Sequence, residues 1–443
     1  MLHCSVRLPY PVRATPLRDR IREERSMNRY LAPLLRFNRD VRYLLLASAI
    51  HGFVFFGIYA LLLNLYLLRL GYDPAFVGAT NAVGPLALAL ASLPAGSVRH
   101  RNGSRRALVL GFFFNACGLS LLPLGEALPA PGSDIWIMAT YGLAWMAGAL
   151  IVVNLAPYMM AATGPEERSH AFSMQSAFFP VAGFAGNLLG GFLPTIMTLL
   201  FGAATAALPY RNALIFAGLL DFAATWAIWH ASDLRATPPE QEGETSATMP
   251  AVVIGMVALV WLLRIGSEWT MRVFFNVYLD SALGASTSLI GALLAAGQLL
   301  GIAALLAPLA VARFGKRPTI VSCTLGMALA FVPLILIAHW LAVGAGFVIM
   351  MALVSLSIPV YNLFSQEAVA PAWRTTIASV MAMALGVGIA TVAFGGGYII
   401  LAFGYLALFV GGALLAAVAA LLFWAFFHTT PEETPQVVAP AGD

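Results

Sequence analysis

The sequence predicts an all-α membrane protein with twelve transmembrane helices in two parallel six-helix repeats. Three observations carry this expectation. The 443 residues are 60% hydrophobic and 10% charged, with a mean hydropathy of +0.85, whereas a soluble domain carries about 25% charged residues. The apolar residues gather in runs of the roughly 20 residues that a bilayer crossing needs. Short motifs also recur at nearly constant spacing between the two halves of the chain. Such a composition argues against a soluble enzyme, a nucleic-acid binder and a disordered scaffold. Cys4, Cys117 and Cys323 have neither paired nor metal-ligand spacing, so no disulfide framework, metal site or cofactor is expected.

In chain order the apolar runs cover 43–68, 75–98, 107–124, 135–160, 171–196, 211–230, 251–278, 289–312, 319–338, 341–364, 375–401 and 405–427. Charge or turn chemistry separates them, as in Arg69 to Pro74, Arg99 to Arg106, Pro129 to Asp134 and Pro165 to Arg168. None alternates apolar and polar residues as barrel strands do. Residues 1–42 hold ten arginines against four acids and read as a basic cytoplasmic tail. Residues 232–250 are rich in Pro, Glu, Thr and Ser and read as a linker. This linker divides a bundle over 43–231 from one over 251–428, and 429–443 forms a second tail. With the N-terminus inside, inner segments hold 20 Lys and Arg residues and outer loops two, Arg69 and Arg211. Positive charge is retained on the cytoplasmic side, so both termini are expected in the cytoplasm of a plasma or inner membrane.

The internal repeat is specific. Asn64-Leu65-Tyr66-Leu67 recurs as Asn276-Val277-Tyr278-Leu279 at an offset of 212, and Gly78 recurs as Gly291 at 213. Arg101-Asn102-Gly103-Ser104-Arg105 recurs as Arg313-Phe314-Gly315-Lys316-Arg317, again at 212. Pro165, Arg168, Ser173, Gly190 and Gly191 recur as Pro371, Arg374, Ser379, Gly396 and Gly397 at 206. An offset of six helices keeps both halves in the same direction, related by an axis along the membrane normal, with a substrate site between them.

On these residues the chain resembles the major facilitator superfamily over about 43–427. Its characteristic loop between helices 2 and 3 is matched by Gly96, Arg101, Gly103 and Arg105, with His100 where the family carries Asp. The second copy keeps Arg313, Gly315 and Arg317 but has Pro308 and Ala312 where the first Gly and the Asp would stand. The resemblance implies a secondary transporter working by alternating access, with helices 3, 6, 9 and 12 at the outside. It also implies gating roles for these loop residues, and for Glu367 with Arg374 as a cytoplasmic ion pair.

Charges inside apolar helices are costly, about 2.5–3.5 kcal/mol or more at the bilayer centre, and mark functional candidates. Arg264, Glu268, Arg272, Asn276 and Asp280 follow one another at intervals of four in the seventh segment, nearly on one face. Their repeat partners Gly52, Phe56 and Ala60 are uncharged, so the fold itself does not require these charges. They are candidates for substrate and coupling-ion binding, beside a self-satisfied ladder that only locks the helix. His51, Asn154, Tyr158, Gln298, Tyr361 and Asn362 are further candidate contacts, with Trp269 and Phe275 as aromatic walls. Asp221, in the sixth segment, reads as a hydrogen-bonded structural acid. The glycines around 183–191 and 386–397 read as surfaces where helices approach closely and slide.

The expected function is secondary transport of a small organic solute by a monomer, coupled to protons, with export of an amphipathic compound first and uptake or exchange of an organic anion second. No phosphate-cradling loop or nucleic-acid surface appears. An intramembrane lipid-modifying enzyme is the alternative of another class, and it would need clustered acids or a nucleophile with a base. The charge count yields the first prediction. Protease added to sealed right-side-out vesicles should leave the 232–250 linker intact, and cleavage there would refute the orientation.

Overall fold

The computed structural model describes residues 37–234, 250–370 and 373–427. Most of the first tail, residues 235–249 of the linker and the last tail lie outside the described residues. The described residues contain long helices and no strand. The N-terminal half comprises α1 (Arg39–Arg69), α2 (Pro74–Asn102), α3 (Ser104–Leu121), α4 (Gly132–Ala162), α5 (Pro165–Phe201) and α6 (Leu208–Trp229). After the linker come α7 (Ala251–Ser281), α8 (Thr287–Phe314), α9 (Lys316–Leu336) and α10 (Trp340–Glu367). The last stretch, Arg374–Phe427, is one helical run broken only at Gly404 (φ 80°, ψ 175°), which divides it into α11 (374–403) and α12 (405–427). That positive φ is a conformation glycine adopts without steric cost.

Several helices start ahead of the apolar runs, and at three of them a cap or a sharp turn sets the start. α1 opens at Arg39, ahead of the run at 43, because the Asn38 side chain accepts from the Asp40 amide at 3.1 Å. The buried Asp40 carboxylate in turn accepts from the Ser232 amide at 2.8 Å, which ties the start of α1 to the end of α6. α3 and α9 both open at a glycine with positive φ, Gly103 (81°) and Gly315 (84°). The sharp turn therefore recurs at the repeat offset. So does an arginine clasp: Arg168 donates to the Met160 carbonyl and Arg374 to the Gln366 carbonyl, each eight residues back.

The face where residues 39 and 427 emerge is called the terminal face here, and the face bearing Arg69 the distal face. Large apolar side chains point outward around the bundle; Leu90, Leu199, Leu305 and Phe403 are each more than 75% exposed. Hydrocarbon rather than water suits such a surface. The interior is arranged asymmetrically. Toward the distal face a single core joins the halves, running from Leu61, Leu65 and Tyr66 through Phe274, Phe275, Phe347 and Phe409. Toward the terminal face each half keeps its own core. One is built on Leu44, Phe112 and Tyr158, the other on Ile254, Tyr361 and Phe423.

The halves meet backbone to backbone at glycines. A Cβ on Gly78 of α2 would overlap the Ala393 carbonyl of α11, and one on Gly291 of α8 would stand 2.6 Å from the Asn187 carbonyl of α5. A Cβ on Gly397 would overlap the Pro74 carbonyl, and one on Gly191 would stand 3.2 Å from the Thr287 carbonyl. The α2–α11 contacts map onto the α8–α5 contacts through the sequence offsets of 213 and 206. The two seams are thus copies related by the repeat.

Overpacking a tight contact costs about 1–3 kcal/mol. We predict that Gly78→Ala and Gly291→Ala each lower the unfolding temperature in detergent by a similar amount. Gly395→Ala, where nothing lies within 4 Å of the added carbon, should be neutral or slightly stabilising, since alanine is the better helix former. Equal behaviour of all three would refute the seam.

Candidate functional site: a cavity between the halves

A cavity of about 210 Å³ lies between the halves, on the terminal side of their shared seam region. It is lined from α1 by Phe55, Phe56 and Asn64, from α2 by Asn81, from α4 by Tyr141 and Trp145, and from α5 by Pro180 and Asn187. The other half supplies Trp269 and Arg272 from α7, Gln298 from α8, and Phe347, Met351 and Ser355 from α10. None of the lining residues comes from α3, α6, α9 or α12, the helices the family resemblance puts at the outside.

The α1 wall is shaped by an unusual stretch. Residues Gly52–Tyr59 form a π-helix, a wide turn that leaves backbone groups for side chains to satisfy. The Asn187 amide takes up one of them by donating to the Phe56 carbonyl at 3.2 Å, and donates to Gly183 at 3.0 Å. A Cβ on Gly57 would stand 2.5 Å from the Gly186 Cα, so the α5 glycines let the wide turn seat. The Asn187 Oδ1 is buried and has no partner.

Of the α7 ladder, only Arg272 reaches the cavity. Its Nε donates to Glu268 Oε1 at 2.7 Å, and its guanidinium lies 5.9 Å from the Trp269 ring centre. Glu268 sits behind it, buried, with its other oxygen 3.7 Å from Arg264 Nη1. Arg264 is fully buried; its Nη2 donates to Ser357 Oγ of α10 at 2.7 Å and lies 3.4 Å from the Val354 carbonyl, and its guanidinium lies 5.1 Å from the Trp261 ring centre. The expectation of one shared face is corrected here. With 3.6 residues per turn, each step of four advances about 40°, so Arg264 and Arg272 diverge by about 80°. One therefore aims at α10 and the other at the cavity.

Asn276 lies outside the cavity, at the α1–α7 crossing. Its amide donates to the Leu61 carbonyl at 3.0 Å, and its Oδ1 accepts from Asn64 at 3.2 Å. Asn64 Oδ1 accepts from Asn81 at 2.8 Å. Closer to the distal face Arg69 and Asp280 form a two-pronged ion pair at 2.7 and 2.6 Å. Repeat-related Asn64 and Asn276 thus meet where the halves are joined.

Other predicted contacts lie elsewhere. His51 stands behind the aromatic wall, 5.2 Å from Phe55 ring to ring, with its Nδ1 3.4 Å from Asp221 Oδ1. Asp221 is fully buried and its Oδ2 has no partner. Asn154 donates to Leu150 in its own helix, and Tyr158 donates to the Ser232 carbonyl near the terminal face. The Tyr361 hydroxyl donates to the Val257 carbonyl, while Asn362 is exposed and is not among the residues lining the cavity. These four polar groups therefore do not line the cavity. For Tyr158 and Tyr361, a backbone carbonyl on a neighbouring segment captures the hydroxyl. Gln298 does line it, as expected. Sequence reasoning missed Asn64, Asn81 and Asn187 as lining residues. The repeat of Asn64 at Asn276 was a signal for the first; a lone amide among the α5 glycines was a signal for the last.

At the terminal face, Gly96 falls within α2, and the side chains of His100 and Arg101 lie outside the described residues. Arg105 donates to the Trp229 carbonyl and lies over its ring, which fastens α3 to α6 within one half. Arg313 lies over Phe314, and Arg317 occupies the first turn of α9. Glu367 pairs with Lys316 rather than with Arg374, whose Nε is turned back to the Gln366 carbonyl at 3.2 Å. The expected gate pair is thus replaced by a bond between α10 and α9, inside one half.

The sequence profile of the Major Facilitator Superfamily matches residues 44–391, and a second match covers 257–442. Among solved structures, the fold is similar to the nucleoside transporter NupG, with a TM-score of 0.68 and 12% identity over 88% of this chain and 99% of that one. It is similar to a D-xylose–proton symporter at 0.70 and 15%, over 87% and 98%. A bacterial homologue of the human lysosomal transporter Spinster, inward-facing and occupied, is similar at 0.65 and 15%, over 87% and 95%. No curated protein matches in sequence. At such identities the structural likeness concerns the fold, and the sequence profile supplies the assignment: the chain belongs to the major facilitator superfamily and is a multi-pass secondary transporter rather than an enzyme.

Proposed function

We propose that the protein moves a small amphipathic organic solute through the central cavity by alternating access, coupled to protons, with Glu268 carrying the coupled proton. The terminal face is cytoplasmic in this reading, on the charge count, and export is the favoured direction. The supporting observation is the placement of Glu268 between two arginines, one fixed to α10 and one at the cavity wall. Arg272, at the cavity wall, is the partner of Glu268 that a solute or a rocking movement can draw away, and a partner that changes between states is the condition for coupling. A second reading places the proton on Asp221, whose buried Oδ2 lacks a partner beside His51.

The test is transport in proteoliposomes of a solute found by thermal-shift screening. Glu268→Gln preserves shape and hydrogen bonding but cannot titrate. It should abolish uphill transport driven by a pH gradient while leaving downhill exchange within about threefold of the wild type, since only the coupling step is removed. If the variant still concentrates solute with an unchanged pH dependence, Glu268 is structural and Asp221 becomes the carrier to test.

A further inference from the structure

The cavity wall has one charged side chain, Arg272, and no acid. Glu268 behind it is shared with Arg264, so two guanidinium groups face one carboxylate. One positive charge is left without a counter-ion at the wall. On the opposite wall Asp221 does not reach the cavity; it lies against His51, behind Phe55 and Phe56. Two guanidiniums around one carboxylate leave net positive charge beside the cavity, and a carboxylate there would offset it. Because the Nε of Arg272 is committed to Glu268, its terminal nitrogens are the donors turned to an occupant. Arginine recognises carboxylates through such paired donors.

The remaining surface is mostly aromatic and comes from both halves. Phe55 and Trp145 pack edge to face at 5.2 Å on one side, and Trp269 and Phe347 line the other. A cavity of about 150 Å³ holds one benzene ring. At about 210 Å³ this one has room for a ring with one carboxyl group.

From these observations, and resting on the reading of the cavity as the transport site, we infer that the solute is a single-ring aromatic monocarboxylate. Arg272 binds its carboxylate, the aromatic walls take its ring, and cations are disfavoured beside the guanidinium.

The experiment is saturation binding to the full-length protein in nanodiscs, followed by tryptophan fluorescence. The probes are 4-hydroxybenzoate, its neutral amide 4-hydroxybenzamide, the cation tyramine, and cyclohexanecarboxylate. 4-Hydroxybenzoate should bind at least about tenfold more tightly than the amide or tyramine, the scale of a lost charge-assisted hydrogen bond, and more tightly than cyclohexanecarboxylate, which lacks the aromatic ring. Arg272→Gln should remove the preference over the amide, and Arg272→Lys, which keeps the charge, should retain part of it. Equal or tighter binding of the amide or of tyramine would overturn the inference, as would no saturable binding by any probe. The wild-type comparison stands even if a variant fails to fold. Counterflow of labelled 4-hydroxybenzoate in liposomes separates the two readings. Selective binding without flux keeps the ligand class and defeats transport. Flux of the amide or of tyramine alone keeps transport and defeats the ligand class.

Discussion

At Gly78, Gly191, Gly291 and Gly397 the two halves approach so closely that a single added carbon meets the facing backbone. This contact constrains much of the rest of the architecture. It brings α2 against α11 and α5 against α8 in repeat-related pairs, and so fixes where the halves touch and where they separate. Helices meeting through glycine gain dispersion contact over a smooth surface, and no interlocking side chain opposes sliding. The shared core lies toward the distal face and the separate cores toward the terminal face. The seam is therefore placed to act as the bearing between two rigid bodies, with the cavity beside it.

The polar groups follow from that geometry. Inside a membrane bundle a charge needs a partner, and the α7 ladder supplies its own. Arg264 is anchored by Ser357 and Glu268, and Glu268 by both arginines. The helical twist then turns one end of the ladder into the packed half and the other into the cavity. A change at the cavity end can thus reach the buried acid through one side chain. The distal closure uses a different chemistry. Asn64 and Asn276 join the halves by amide bonds, and Arg69 with Asp280 adds a two-pronged ion pair near the surface. Water can solvate those two charges when they part, so this closure is better suited to opening than a buried pair would be.

Much of the architecture was legible in the sequence because bilayer thickness dictates run length and the repeat betrays the symmetry. The Arg101–Arg105 and Arg313–Arg317 loops predicted equivalent turns, and Gly103 and Gly315 share a positive φ. The glycine clusters predicted close approach, and the seams lie at four of the glycines the sequence reading singled out. The cavity was less legible. Spacing placed Arg264 and Arg272 together, but a 40° drift per step sends them to different neighbours. Tyr158 and Tyr361 looked like polar lining, yet backbone carbonyls of Ser232 and Val257, distant in sequence, take up their hydroxyls. The His51–Asp221 pairing joins residues 170 positions apart. Periodicity carries no information about such partners, and no repeat copy marks them.

Rocking of the halves about the glycine seams would open one face as it closes the other. Spin labels at Ala130 and Ala338, both exposed in distal loops of opposite halves, report one face. Labels at Gly164 and Ala370, exposed in the corresponding terminal loops, report the other. The most direct measurement is the distance distribution of each pair, in a cysteine-free background, with and without Asp280→Ala to release the Arg69 pair. The account predicts that the substitution moves population to longer distances at the distal pair and to shorter distances at the terminal pair. A change at one face with none at the other would contradict rigid-body rocking.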